Sequence, residues 1–167
     1  MICAANLKIM DVVAKYPGST HDAYIFKNSG IYDRFDSGEF TSGIMLADSG
    51  YPLTTWLMTP FINATTPAQV RYNYAHIRTR NTIERTFGLL KSRFRCLDVT
   101  GGMLLYDAAK VCEIIMCCCI LHNICIEHEN DNEFDCDTAV TEEQHREVIL
   151  SHHAKLQRDH IVSQYFS

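Results

Sequence analysis

Two acidic residues in the first third of the chain occupy positions where a carboxylate could either cap the backbone or do chemistry. Asp48 follows the apolar stretch GIMLA and precedes a Ser-Gly pair. Because aspartate is depleted in strands and costly to bury unpaired, Asp48 either bonds to the backbone of a turn or serves as a ligand at a strand end. Asp22 lies three residues after Ser19, which is the spacing of a helix capping box.

A third acid, Glu84, is the one carboxylate in a basic segment, since the chain from Pro67 to Leu97 has seven Arg or Lys residues. At about 100° per residue, Glu84 projects beside the apolar stripe of a helix. There it could pair with Arg80, an interaction worth about 0.2–0.5 kcal/mol. Alternatively it could hold a hard cation such as Mg²⁺, which takes carboxylate and substrate phosphate oxygens. Two such ions about 4 Å apart can promote hydrolysis of a phosphodiester.

Hydrophobic patterning in the first 61 residues predicts the elements that would position Asp22 and Asp48. Two short strands are expected within residues 2–18, around a turn at residues 6–8. Residues 19–35 are expected to form one helix with Ser19 as its N-cap, and the side chains predicted to face inward are Ile25, Phe26 and Ile31. GIMLA is predicted to be a short buried strand, and residues 51–61 to be irregular or a short helix.

Two long helices are predicted in the second half of the chain. Thr66 and Pro67 are suited to the N-cap and first position of a helix that carries Glu84. Its apolar stripe is predicted to comprise Ile83, Phe87, Leu90, Phe94 and Leu97. Asp107 can cap a second helix over residues 108–128, which is apolar all round and therefore predicted to pack in the core. Residues 129–138 read as an acidic linker, and residues 141–167 as a weaker C-terminal helix.

The composition bounds the class of protein. At 167 residues, with a net charge of −5, the chain suits one compact domain. The order of the predicted elements (strand, strand, helix, strand and two long helices) predicts an α/β fold with mixed strand order. No uninterrupted apolar run reaches the roughly 20 residues of a membrane helix, and no N-terminal signal peptide is predicted. The eight cysteines include no C-x-x-C pair, so core packing in a reducing compartment is favoured over a zinc site.

Four blocks of the sequence resemble the DDE nuclease domain of PIF/Harbinger transposases and of nucleases derived from them. The blocks are KYPGSTHD, LADSGYPL, the run TPAQVRYNYAHIRTRNTIERTFGLLKSRFRCL, and ILHNICIEH. The resemblance covers residues 1–130 and leaves residues 131–167 as a separate linker and helix. It implies an RNase H-like mixed sheet flanked by helices. It also implies that Asp22, Asp48 and Glu84 hold Mg²⁺ or Mn²⁺, with Asp48 and Glu84 as catalytic residues.

The resemblance also implies a further catalytic aspartate on a first strand upstream of Met1. Asp11 matches no acid of the family and is not a substitute. We therefore expect the first strand of the domain to be missing from this chain. Loss of a ligand on that strand would weaken metal binding, so nuclease activity is expected to be impaired in the truncated chain.

The leading interpretation is a metal-dependent nuclease that hydrolyses DNA, and the alternative is a non-catalytic module that binds DNA or protein. Basic residues expected to contact DNA phosphates, or else to form a solvated helix face, are Arg78, Arg80, Arg85, Lys91 and Arg93. His122 is expected to be a satisfied core residue rather than a general base. By resemblance, a Myb-like DNA-binding partner and a nuclear location, with some protein in the cytoplasm, are expected, and no membrane association.

Overall fold

The computed structural model describes residues 1–128 and 151–167 of the chain. These residues form a helix-rich α/β protein that divides into two compact units. Unit 1 comprises Met1–Gly18 and residues 81–128, and unit 2 comprises Ser19–Arg80 and residues 151–167. The predicted acidic linker lies outside the described residues, and the predicted domain boundary after residue 130 stays a prediction.

Unit 1 begins with the predicted hairpin. Strands β1 (Ile2–Cys3) and β2 (Ile9–Asp11) pair antiparallel. Leu7 occupies the turn between them with a φ of +66°, a conformation that L-residues rarely adopt. The amide of Leu7 donates to the Ala4 carbonyl at 3.0 Å.

Unit 2 begins with two short helices, and the prediction of one helix over residues 19–35 is wrong. Helix α1 spans Asp22–Lys27 and helix α2 spans Gly30–Asp36. Ser29 separates them because its hydroxyl donates to the Phe26 carbonyl at 2.6 Å and, as the N-cap of α2, accepts from the Tyr32 amide in the first turn. The predicted N-cap Ser19 is also wrong, since the N-cap of α1 is His21.

A two-stranded parallel sheet follows in unit 2. Strand β3 (Met45–Leu46) pairs with strand β4 (Leu57–Met58). The prediction of a strand in GIMLA is confirmed, but β3 is partly exposed, and the buried strand is β4, where an irregular segment or helix was predicted. The error has a physical reason, because a two-residue strand is too short to show a period in the sequence.

The long helices agree with the prediction from local signals. Helix α3 (Pro67–Arg93) has the Thr66 hydroxyl accepting from the Gln69 amide, while the Gln69 side chain accepts in return from Thr66. This reciprocal pair is a capping box. Helix α4 spans Ala108–His128, and the Asp107 carboxylate accepts from the Lys110 amide at 3.0 Å. Helix α5 (His152–Tyr165) is the described part of the predicted C-terminal helix.

The buried face of α3 is more polar than the predicted apolar stripe. Leu90 is buried and packs with Phe94 in the core of unit 1. Phe94 and Leu97 were predicted on the helical stripe, but both lie beyond the end of α3, and Leu97 belongs to a short 3-10 turn (Arg95–Leu97). Phe87, however, is 41% exposed, and Thr86 is buried instead. Burial of Thr86 is tolerated because its hydroxyl donates to the Thr82 carbonyl one turn earlier.

Helix α4 is only partly a core helix, which corrects the prediction of burial on all sides. Its buried residues are Cys118, Cys119 and His122, while Ile120 is 57% exposed. Within unit 1 the described residues packed on it come from the hairpin and from the end of α3, which cover one face. By length and composition, α4 is the one described helix that could cross a membrane, so the prediction that no run is long enough is also corrected.

The α/β class is confirmed, and the finer architecture is not. The described strands form two separate two-stranded sheets, one in each unit. An RNase H-like mixed sheet, and the absence of its first strand, therefore stay predictions. The described cysteines are free thiols. Cys118 and Cys119 lie in the core, as predicted, whereas Cys96 and Cys117 are exposed, so the prediction of core packing holds for only some of the described cysteines.

Candidate active site

Asp48 lies just past the end of β3 and also begins a turn, so both interpretations drawn from the sequence describe its position. The amide of Ala47 extends the parallel pairing by donating to the Met58 carbonyl at 3.0 Å. One carboxylate oxygen of Asp48, Oδ1, accepts the Gly50 amide at 2.8 Å. The other oxygen, Oδ2, has no partner among the described residues. The turn thus fixes the carboxylate and leaves one oxygen for a ligand.

Asp22 is the first residue of α1, and the structure removes its predicted role in a capping box. Its side chain is exposed and has no hydrogen bond or ion pair with any residue in the described ranges. The ring of Phe26 lies 5.6 Å from the ring of Tyr51, so α1 packs against the turn that Asp48 begins. Asp22 and Asp48 therefore belong to one unit.

Glu84 lies in the part of α3 that belongs to unit 1, so the three predicted ligands are divided between the units. Its side chain is partly buried. Over residues 1–128 and 151–167, no three His, Cys, Asp or Glu side chains are grouped so as to hold a metal ion. The assignment of Asp22, Asp48 and Glu84 to one metal site stays a prediction.

His76, on α3 in unit 2, is a residue that the sequence analysis missed. It is 3% exposed, and its Nε2 lies 3.1 Å from the Met58 carbonyl that also receives the Ala47 amide. Because a carbonyl only accepts, Nε2 carries the proton, and Nδ1 is a buried lone pair without a partner in the described structure. Burial is the largest cause that lowers the pKa of His76, while Asp48 acts in the opposite direction.

A second residue missed by the sequence analysis is Arg158 of α5, which is 7% exposed. One of its guanidinium nitrogens donates to the carbonyls of Thr59 and Pro60, next to β4. No sequence signal marked Arg158, because it lies in the tail beyond the four blocks of resemblance. The burial of a polar side chain depends on how distant segments of the chain pack. That packing places both His76 and Arg158 against the end of β4 and the residues that follow it.

His122 is a satisfied core residue, as predicted. Its Nε2 lies 2.9 Å from the Leu7 carbonyl, and its Nδ1 lies 3.1 Å from a guanidinium nitrogen of Arg93. The carbonyl fixes the proton on Nε2, so Nδ1 accepts from Arg93. Its neighbour Asn123 accepts the Ile9 amide and donates to the Ile9 carbonyl, both at 2.8 Å. The His-Asn pair therefore holds the hairpin on α4.

The basic residues predicted to contact phosphate are distributed over both units, as the three predicted acidic ligands are. Arg78 and Arg80 belong to unit 2, and Arg85, Lys91 and Arg93 belong to unit 1. Arg78, Arg85 and Lys91 are exposed, whereas Arg80 and Arg93 are partly buried. One guanidinium nitrogen of Arg93 donates a hydrogen bond to Nδ1 of His122. Phosphate contacts of all five residues stay a prediction.

Curated relatives support the predicted resemblance. A human protein named "Putative nuclease HARBI1" is 44% identical over 78% of this chain and 38% of its own length. The protein of the same name from Xenopus laevis is 32% identical over 99% of this chain and 49% of its own length. "Protein ALP1-like" from Arabidopsis thaliana is 32% identical over 75% of this chain.

The chain thus spans less than half the length of these relatives. No solved structure matches it at a significant level. The family model described as DDE superfamily endonuclease matches residues 1–123, and the human and Xenopus laevis relatives are both named as a putative nuclease. Endonucleases of this superfamily generally depend on divalent metal ions. The chain therefore belongs to the DDE superfamily of endonucleases.

Proposed function

We propose that this chain carries part of the active site of a metal-dependent nuclease that hydrolyses phosphodiester bonds in DNA. The observation that carries the proposal is the carboxylate of Asp48, which a turn fixes through the Gly50 amide while its second oxygen is open. Family membership supplies the class of reaction. Asp48 and Glu84 act as the catalytic pair in this proposal, with Asp22 as a further ligand.

The donor chemistry of the three acids suits Mg²⁺ or Mn²⁺. Both ions prefer hard carboxylate oxygens, and Asp22 offers two such oxygens without a described partner. When bound, a divalent ion would lower the pKa of an attacking water and neutralise charge on the phosphate. The residues of the chain then orient the substrate: the exposed Arg78, Arg85 and Lys91 attract the DNA backbone.

His76 helps to position Asp48 in this proposal. Its Nε2–H holds the Met58 carbonyl, and that carbonyl also receives the amide of Ala47, the residue before Asp48. Because the lowered pKa keeps the imidazole neutral near pH 7, it adds no positive charge that would compete with a bound cation. His76 is therefore a positioning residue rather than a group that contacts the substrate.

Nicking of a supercoiled plasmid tests the proposal. We expect the chain to nick the plasmid in Mn²⁺ or Mg²⁺, at the reduced rate expected of a chain that carries only part of the active site, and to stop when the metal is chelated. Asp48→Asn should slow nicking about 100-fold or more, because the amide can still accept the Gly50 bond but supplies no charge to a metal. The matched control is Asp36→Asn at the exposed end of α2, which should nick at the parent rate.

Two results would contradict the nuclease proposal. One is the absence of nicking by the parent chain in either metal, and the other is equal nicking by the parent and Asp48→Asn. Glu84→Gln tests the second catalytic acid separately and should also reduce nicking. If Asp48→Asn loses activity and Glu84→Gln does not, the chain is still a nuclease, but Glu84 is not one of its catalytic residues.

A second candidate function is a non-catalytic module that binds a partner. The observation in its favour is the exposed apolar face of α4, formed by Met116, Ile120, Leu121 and Ile124. Apolar patches of this kind often mark interaction surfaces. DNA or protein binding that is unaffected by chelation, together with no nicking in any metal, would favour this second function.

A further inference from the structure

A pocket of about 290 Å³ in unit 2 opens directly beside the turn that Asp48 begins. Ser49, the residue after Asp48, lines one side, and Lys155 and Arg158 of α5 line another. Thr59 and Asn63 add polar side chains, and no Asp or Glu is among the described residues that line it. The pocket thus combines two cations with polar groups and has no anion of its own.

Arg158 is a buried cation without a counter-ion in the described part of the chain. Its NH1 group donates to the Thr59 and Pro60 carbonyls at 3.2 and 3.1 Å, and its guanidinium lies 3.8 Å from the ring centre of Phe61. Its Nε is buried and has no hydrogen-bond partner among those residues. Buried charges are normally paired, and an unpaired one is strongly unfavourable. An anion from outside the chain would supply the missing partner.

Lys155 provides the second cation one helical turn before Arg158, so the two side chains share a face of α5. Its side chain is exposed, and the described structure gives it no ion pair. Burial also lowers the pKa of the Arg158 guanidinium, which reflects the cost of holding this charge away from water. One ligand could therefore contact both the fixed, partly desolvated guanidinium of Arg158 and the exposed ammonium of Lys155.

We propose that this pocket binds a backbone phosphate of DNA next to the bond that is hydrolysed at Asp48. This inference rests on the proposed nuclease function, because it takes DNA as the ligand. The planar guanidinium suits phosphate oxygens, and the ammonium adds a point charge. The pocket has room for a phosphate with part of its sugar. Because Ser49 lines the pocket and directly follows Asp48, the pocket can hold a phosphate of the same DNA strand next to the one that reacts.

Equilibrium binding of a labelled DNA duplex to the full chain in EDTA tests the proposal without any cleavage. The key variant is Lys155→Ala, because Lys155 is exposed and its loss should leave the fold intact. We expect about 10-fold weaker binding at low salt, and a salt dependence whose slope falls by about one unit, as for the loss of one phosphate contact. Lys27→Ala, an exposed lysine on α1 that does not line the pocket, should match the parent.

Arg158→Lys is an independent variant that keeps the positive charge but loses the planar guanidinium, which can donate two parallel hydrogen bonds to a phosphate. It should also weaken DNA binding, and its melting temperature shows whether the fold is retained. Parent-like affinity and salt slope in Lys155→Ala would overturn the proposal, and so would a parent chain that binds no DNA.

Inorganic phosphate distinguishes a DNA site from a site for a small anion. If phosphate raises the melting temperature of the parent while Lys155→Ala binds DNA normally, the pocket takes a free oxyanion and the proposal fails. Plasmid nicking is measured separately on the same variants. Weakened DNA binding in Lys155→Ala without nicking by any variant would sustain the pocket and contradict the nuclease proposal, so the two failures are distinguishable.

Discussion

The two units treat their buried polar groups differently. In unit 1, His122 is fully buried, and both ring nitrogens have partners, Leu7 and Arg93. In unit 2, His76 is almost as buried, yet its Nδ1 has no partner within the described residues, and neither has the Nε of Arg158. Buried polar groups in native proteins are nearly always satisfied, so each exception calls for an explanation such as a bound water, an ion or a catalytic role. The comparison suggests that unit 1 uses its polar groups to hold the fold, whereas unit 2 keeps capacity for a ligand near Asp48.

The largest effect is expected from His122→Ala, which tests the structural half of this comparison. The change leaves the Leu7 carbonyl and Arg93 without their partner and opens a cavity in the core. We expect the free energy of unfolding to fall by about 3 kcal/mol in urea denaturation. His128→Ala, at the exposed end of the same helix, is the control and should change little. A loss below about 1 kcal/mol for His122→Ala would show that the network does not hold unit 1.

Asn123→Asp should have the next largest effect. The carboxylate can still accept the Ile9 amide, but it cannot donate to the Ile9 carbonyl and would repel it. We expect a loss of about 2 kcal/mol in the free energy of unfolding. Asn28→Asp is the matched control, because the amide of Asn28 also donates to a carbonyl but at an exposed site. Similar losses in the two variants would mean that burial does not distinguish the hairpin contact.

A smaller and pH-dependent effect is expected from His76 in unit 2. Its folded-state pKa is lowered from 6.5, so the unfolded chain binds the proton more readily. Its contribution to stability is therefore fully present above about pH 6.5 and is lost as the pH falls toward the folded-state pKa. The free energy of unfolding of the parent should decrease on acidification by up to about 1.4 kcal/mol per pH unit from this group.

His76→Gln removes this titration while its amide can still donate to the Met58 carbonyl. Denaturant melts between pH 5 and pH 8, a range of about three units around the His pKa, compare the two chains. We expect a flatter pH dependence for His76→Gln than for the parent. Equal slopes would show that His76 takes up a proton as easily in the folded chain as in the unfolded one.

The smallest effect is expected at the surface of unit 1, where Lys8 and Glu127 form an exposed ion pair. Exposed pairs contribute little because water and salt screen them. Glu127→Gln should leave the melting temperature unchanged within error, even at low salt. A clear decrease would mean that surface pairing, rather than the buried His-Asn contacts, holds the hairpin on α4.

Local signals in the sequence predicted the long helices well. The start of α3 follows from Thr66 and Pro67, and the bounds of α4 follow from Asp107 and the apolar run after it. Such caps act within one turn and can be read without knowing the fold. Strand β4 was missed because two residues show no period, and its identity depends on pairing with a segment about twelve positions away.

The candidate site was only partly predictable for the same reason. Asp48 stood out because an acid after an apolar strand is unusual, and the turn bond to Gly50 then proved local. His76 and Arg158 gave no such signal. Their burial depends on how α3 and α5 pack beside β4, which involves residues far apart in the chain. Thr86 shows the converse, since a polar residue occupies a core position that the pattern assigned to Phe87.

The central claim is that the open oxygen of Asp48 binds a divalent metal ion. Its most direct test is a Mn²⁺ titration in which the melting temperature is measured. We predict that Mn²⁺ raises the melting temperature of the parent, because a ligand that binds only the folded state stabilises it. In Asp48→Asn, which can keep the turn bond to Gly50, the increase should be lost. Equal increases in the parent and in Asp48→Asn would contradict the claim.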